Sequence, residues 1–251
     1  MLSPSFPSLP AAALVLLLAV VGCGAVDRTA ADRFTASGEL IALSGGDAGA
    51  ANACIECHGV DGLGDGGGTP RLAGLDRGYM EAQLAAYADG RRHHAAMEAI
   101  ARKLDGGQRQ AVAMHYAALP FTPETARPAG GAVAALYNDG DPARGLPSCA
   151  SCHGEAGEGL GPANPPLGGQ PAMYLAEQLD QWRQGRRRND PANIMLEIAR
   201  QLTPEESAAL AAYAAELPGG PPDPESREAS REARRDDPRN GASTPHPRAG
   251  G

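Results

Sequence analysis

Residues 54–59 read Cys-Ile-Glu-Cys-His-Gly and residues 149–154 read Cys-Ala-Ser-Cys-His-Gly, a recurrence that constrains the fold of the 251-residue chain more than any other feature. The same spacing of 95 carries Pro70 to Pro165, Leu72 to Leu167, Gly74 to Gly169, Tyr79 to Tyr174, Leu84 to Leu179, Tyr87 to Trp182, Gly90 to Gly185 and Arg91-Arg92 to Arg186-Arg187. The second copy then gains three residues and the spacing becomes 98, so that Met97-Glu-Ala-Ile-Ala-Arg-Lys-Leu104 aligns with Met195-Leu-Glu-Ile-Ala-Arg-Gln-Leu202 and Leu119-Pro120 with Leu217-Pro218. One unit is written twice. The first copy spans 38–120, a linker 121–131 and the second copy 132–218.

Each copy reads as helices separated by glycine-rich loops. Leu175, Leu179 and Trp182 form one stripe between Pro171 and Gly185, matched by Met80, Leu84, Tyr87 and Gly90. The last helix of the second copy opens on a capping box, Thr203-Pro-Glu-Glu206, with proline at its first position. Its counterpart opens Asp105-Gly-Gly-Gln108. No segment alternates with period two, so the expected class is all-α. A unit of roughly 80 residues is marginal on an apolar core alone. Aromatic residues make up only 4% of the chain, so something other than its own side chains is expected to fill each core.

Cys-x-x-Cys-His supplies that filler, being the attachment signature of c-type haem. Two thiols on one helical turn can each add to a porphyrin vinyl group, and the adjacent imidazole then lies beneath the iron. Cys54, Cys57 and His58 would hold one haem, and Cys149, Cys152 and His153 a second. A zinc knuckle would need further Cys or His at regular spacing, and neither unit has another cysteine. A redox dithiol would not call for the following histidine twice. Of Met80, Met97, Met114, Met173 and Met195, only Met97 and Met195 coincide under the repeat, which marks them as the distal thioether ligands. Met80, Met114 and Met173 are read as core filler. His93 and His94 are rivals to Met97 without counterparts in the second copy; His115 is read as packing. His/Met ligation closes both axial positions and suits one-electron transfer.

Pro70 and Pro165 lie in the glycine-rich loop after each motif, where a backbone carbonyl could accept the proximal histidine N–H, and Leu72 and Leu167 would pack on the ring, with ordinary loop and core duty as the alternative. Arg91-Arg92 and Arg186-Arg187-Arg188 read either as solvated basic helix ends or as partners of haem propionates.

The termini are different in kind. Residues 1–23 lack charge and contain the apolar run Ala11 to Val21, the length of a signal-peptide core and too short to span a bilayer as a helix. Val20-Val21-Gly22-Cys23 resembles a bacterial lipoprotein box with valine where leucine is usual, so 1–23 is read as an export signal with Cys23 lipidated and 24–37 as a tether. Ordinary cleavage near Ala25 is the alternative. From 219 to 251 six acidic residues balance six arginines without a Leu, Ile, Val or aromatic residue, so this tail, His246 included, is expected to be disordered. The formal charge of −8 therefore resides in residues 24–218 and argues against a nucleic-acid partner.

The paired Cys-x-x-Cys-His-Gly motifs, the Pro-x-Leu loops, the Met-x-x-Ile-Ala segments and the capped helix ending at Leu-Pro resemble the di-haem cytochrome c4 family over about residues 38–218. The resemblance implies two cytochrome c folds with close haem edges, carrying single electrons in the periplasm. The implied partners are membrane-associated redox proteins: a cytochrome bc complex or dehydrogenase as donor and a terminal oxidase as acceptor. It implies Cys54, Cys57, Cys149 and Cys152 as covalent thiols, His58, Met97, His153 and Met195 as axial ligands, and no reaction catalysed by the chain itself. The rival from the enzyme class is a di-haem oxidoreductase or the cytochrome subunit of a dehydrogenase, which would need an exchangeable distal site.

Overall fold

The computed structural model describes residues 37–122 and 130–219. The export signal with Cys23, the tether up to residue 36, linker residues 123–129 and the tail from residue 220 lie outside them.

The duplication is visible helix by helix. The first domain contains α1 (Gly38–Ser44), α2 (Ile55–His58), α3 (Arg77–Ala88), α4 (Ala95–Ala101) and α5 (Gly106–Ala118). The second contains α6 (Ala132–Asp139), α7 (Ala150–His153), α8 (Ala172–Arg183), α9 (Ile194–Gln201) and α10 (Pro204–Ala215). Short 3-10 turns fill parts of the loops, and among the described residues there is no strand beyond two isolated bridges. The all-α expectation holds.

The first and last helices of each domain cross, α1 on α5 and α6 on α10, while α3 and α8 pack against the same long terminal helices. At the α1–α5 crossing a Cβ on Gly38 would lie 2.0 Å from the Ala111 carbonyl oxygen, so only glycine allows this approach. Both terminal helices open as expected: the Asp105 carboxylate accepts from Gln108 N–H and Thr203 Oγ1 from Glu206 N–H, each with the reciprocal bond that completes a capping box. Asp76 caps α3 by accepting from Tyr79 N–H at 2.8 Å, whereas α8 starts at Pro171 without a side-chain cap.

The cores are thin, as the scarcity of aromatics demands. Ile41, Leu75, Met80, Leu104, Val112 and Tyr116 are buried in the first domain, and Tyr137, Leu146, Leu175, Leu202, Leu210 and Leu217 in the second. Met80 is core filler, but Met114 and Met173 are not, at 53% and 63% exposed. Helical spacing marks a face without saying which way it points. Met114 lies on the solvent side of α5 beside the Arg77 guanidinium, and Met173 lies at the exposed start of α8, near Gly67 of the other domain. His115 packs edge-on against Tyr116, and its counterpart Tyr213 stacks on Tyr137.

Candidate functional site

Each attachment motif forms one helical turn, α2 or α7, so its two cysteines share a face and its histidine points inward. His58 and His153 are 7% and 8% exposed, and their Nδ1 atoms lie 3.0 Å from the Pro70 carbonyl and 2.8 Å from the Pro165 carbonyl. A carbonyl can only accept, so Nδ1 carries the proton and Nε2 keeps its lone pair for a metal. Burial, the largest cause in both, lowers the pKa of each imidazole against the opposing pull of the proline carbonyl, and the Arg187 charge adds to the lowering at His153.

None of the four motif cysteines is joined in a disulfide; Cys54 and Cys149 are half-buried and Cys57 and Cys152 exposed. Burial pushes Cys54 and Cys149 up to about 11, which leaves them protonated and unsuited to thiolate redox chemistry. Among the described residues no cluster of three or more His, Cys, Asp or Glu side chains could hold a bare metal ion. The zinc and dithiol alternatives therefore lose their support.

In each domain the repeat leaves four apolar side chains half-buried: Leu72, Leu84, Met97 and Ile100, and their equivalents Leu167, Leu179, Met195 and Ile198. Six of them border the cores without closing into them, and an apolar ring would complete their burial. His94 does not compete with Met97, because its Nδ1 accepts from Met97 N–H at 3.3 Å and caps α4, while His93 is turned to Glu98 at 3.1 Å. In the second domain the Asp190 carboxylate takes the cap's place, accepting from Met195 N–H at 2.8 Å and from the Trp182 indole at 3.0 Å. The three inserted residues fall in the loop between Arg187 and Met195, where Ala192 and Asn193 take positive φ of 55° and 58°.

The seam between the domains holds what the sequence did not reveal. Arg92 and Arg187, each 3% exposed, meet across it in an antiparallel bridge. Arg92 donates to Gln83 at 3.0 Å, to the Tyr174 hydroxyl at 2.8 Å and to Gln178 at 2.6 Å. Arg187 donates to Gln178 at 2.9 Å, to Gln83 at 3.0 Å, to the Tyr79 hydroxyl at 3.3 Å and to Asn189 at 3.0 Å. Each also lies over an aromatic ring, Arg92 over Tyr87 at 4.6 Å and Arg187 over Trp182 at 3.9 Å. Of the arginine runs, only Arg91, Arg186 and Arg188 are solvated ends. Gln83 and Gln178 obey the spacing of 95, as do Tyr79 and Tyr174, so the repeat carried a signal for this cluster. Every hydrogen-bond partner of both guanidiniums is neutral, and Arg92 Nε has none. Two buried cations without an anion are costly, and an anionic group of a bound cofactor beside the seam would offset that cost.

A cytochrome c family model matches residues 44–122 and 132–218, so the chain belongs to the cytochrome c family with two tandem domains and two covalently bound haem c groups. Within it the chain groups with the di-haem cytochromes c4, which are electron carriers: it is 35% identical to cytochrome c4 of Pseudomonas aeruginosa over 182 residues, 69% of this chain and 90% of that one. It is also 43% identical over 187 residues, 72% of this chain and 87% of the relative, to the thiosulfate dehydrogenase electron acceptor of Stutzerimonas stutzeri. Among solved structures, reduced cytochrome c4 from Pseudomonas stutzeri matches with a TM-score of 0.59 and 30% identity, over 65% of this chain and 93% of that one. A thiosulfate dehydrogenase (TsdBA) from Marichromatium purpuratum matches with a TM-score of 0.64 and 39% identity; the match covers 72% of this chain but only 40% of that longer one.

Proposed function

We propose that the chain is a periplasmic two-electron reservoir that accepts single electrons from a dehydrogenase oxidising a small sulfur oxyanion, thiosulfate being the first candidate, and passes them to a membrane-associated acceptor. The observation that carries the proposal is the doubled set of neutral, buried histidines with Nδ1 engaged, each matched by one repeat-equivalent methionine. Bound haem supplies a one-electron Fe(III)/Fe(II) couple in each domain. Cys54, Cys57, Cys149 and Cys152 would hold the rings covalently. His58 with Met97 and His153 with Met195 would occupy both axial positions and leave no place for a reactant. Arg92 and Arg187 would meet the propionates at the seam, consistent with the neutrality of their other partners. The 43% identity to an electron acceptor of thiosulfate dehydrogenase favours that donor over a cytochrome bc complex. A lipid anchor at Cys23 would hold the carrier at a membrane.

The test is stopped-flow reduction of the purified holoprotein by thiosulfate with a catalytic amount of a thiosulfate dehydrogenase. Uptake of two electrons per chain, with the near-infrared methionine–iron band present at two-haem strength before reduction, is expected. A high-spin iron that binds added ligands, or turnover of thiosulfate by the chain alone, would transfer the protein to the oxidoreductase class. Release from membranes by Cys23→Ser checks the anchor, and unchanged fractionation rejects it.

A further inference from the structure

The two proximal histidines are held alike by proline carbonyls, but the peptide units that contain those carbonyls differ. In the first domain the unit joins Pro70 to Arg71. Its oxygen faces His58 Nδ1 at 3.0 Å, and its own N–H donates to Oε1 of Gln170, in the other domain, at 3.1 Å. Gln170 returns the contact, donating from Nε2 to the Arg71 carbonyl at 2.9 Å. This reciprocity fixes the amide orientation, since the reverse would set two donors and two acceptors face to face. Gln170 and Arg71 are 4% and 2% exposed, so water does not share these bonds. The Arg71 guanidinium spans the same seam, donating to Ala73 O and, at 3.0 Å, to Gly168 O, and lies 3.6 Å from the centre of the Phe121 ring. In the second domain the unit joins Pro165 to Pro166 and has no N–H at all.

We propose that Gln170 of the second domain tunes the reduction potential of the haem in the first, through the Pro70–Arg71 peptide. The inference rests on His58 being the proximal ligand, as proposed above. An amide whose N–H is engaged carries more negative charge on its oxygen, because hydrogen bonds in a chain polarise one another. The Pro70 oxygen therefore pulls harder on the His58 Nδ1 proton, and Nε2 becomes the stronger donor. A stronger donor favours Fe(III) and lowers the potential. The second haem lacks this lever, because Pro166 cannot donate. The coupling runs one way: the second domain sets the first haem, while no equivalent chain reaches the second haem. Gln170 is a positioning residue for charge density and touches no ring.

Gln170→Leu conserves charge and bulk while removing the acceptor. Potentiometric titration of the holoprotein should show the potential of the first haem raised and that of the second unmoved. The waves are assigned in a Met97→His background, where bis-histidine ligation draws the first haem's wave down. Should Gln170→Leu fail to fold, a second pair decides: Arg71→Leu and Arg71→Pro both lose the guanidinium, but only the second loses the N–H, as its counterpart Pro166 has. The first haem's potential should be higher in Arg71→Pro than in Arg71→Leu. Unchanged potentials with the low-spin spectrum intact, equal shifts of both haems, or identical values in the two Arg71 variants would each overturn the proposal and leave the carrier assignment standing. A wild-type protein without low-spin histidine-ligated haem would instead defeat the earlier assignment.

Discussion

In the first domain the N–H of Met97 is met by an imidazole, His94, at 3.3 Å; in the second, the N–H of Met195 is met by a carboxylate, Asp190, at 2.8 Å. The surfaces beside the attachment motifs diverge in the same way. Val60 and Leu63, 70% and 45% exposed, stand where the second domain has Glu155 and Glu158. Described residues of the first domain carry ten acidic and seven basic side chains, those of the second eleven and six. Against this, the cysteines, the buried histidines, the matched methionines and the arginine–glutamine–tyrosine cluster are the same in both halves. His58, His153, Arg92 and Arg187 are buried and have specific partners, which leaves them little room to change. Neighbours one layer out are free to change, and through them two copies of one site acquire different chemistry.

The two proposed proximal ligands should bring the largest effects. His58→Ala or His153→Ala removes the ligand and, with it, the grip on a ring that completes a thin core. Each should cost its own domain about 3–5 kcal/mol, the range for losing a large buried side chain. Haem absorbance with circular dichroism melting reads this out. If the domains are autonomous, the untouched half keeps its low-spin spectrum; loss of both spectra from one substitution would show that the halves fold as one.

The seam comes next. Arg187→Leu forfeits four hydrogen bonds and a Trp182 contact, Arg92→Leu three and a Tyr87 contact. Charged hydrogen bonds contribute about 1.5–3 kcal/mol apiece where both partners stay buried, so either variant should split a single melt into two. Small-angle scattering should show a larger radius of gyration. With haem present Arg187→Leu should be the worse, and equal behaviour would mean that the bonds to Asn189 and Tyr79 add nothing.

What could be read from the residues alone follows the range of the interactions. The Cys-x-x-Cys-His turns, the capping boxes and the helix-stopping glycines are local, and each kept its expected place. The Met97–Met195 pairing was legible because duplication supplies an internal comparison. Arg92 meeting Gln178, or Arg71 meeting Gln170, joins residues 86 and 99 positions apart, and only docking of two domains brings them together. The outward Met114 and Met173 went astray for a related reason: a helical period shows that a face exists, and tertiary packing decides whether it is covered.

Asp190 sharpens the comparison of the distal sides. Its carboxylate accepts from the Met195 N–H, so with Met195 as the proposed ligand of the second haem its negative charge would favour Fe(III). Asp190→Asn should raise the second haem's potential and leave the first in place, whereas His94→Gln, which exchanges one neutral acceptor for another, should move neither by a comparable amount. Stability should fall by about 1 kcal/mol in both, the usual consequence of weakening a helix cap. A second potential indifferent to Asp190→Asn would show that the charge is screened by solvent.

The smallest effect concerns acid. The capping boxes of α5 and α10 share a hydrogen-bond pattern but not their residues, and Gln108 closes the first where Glu206 closes the second. Arg144 bonds Glu206 at 2.9 Å and Asp141 at 2.7 Å, and no such tie exists at Gln108. The Arg144 hydrogen bonds hold both carboxylates below their ordinary range. A carboxyl group depressed on folding stabilises the fold above its unfolded pKa, about 4, and that contribution disappears as pH falls through the lower folded value. Asp180, bonded by Arg183, is depressed likewise, so the second domain has three such carboxylates against Asp65 and Glu98 in the first, and it should lose somewhat more stability between neutral pH and pH of about 3. Because all three groups are largely solvated, the difference should be small and shrink in salt. Glu206→Gln should make the acid melting curves of the two halves parallel, and if they still diverge, the pH sensitivity of the second domain has another origin.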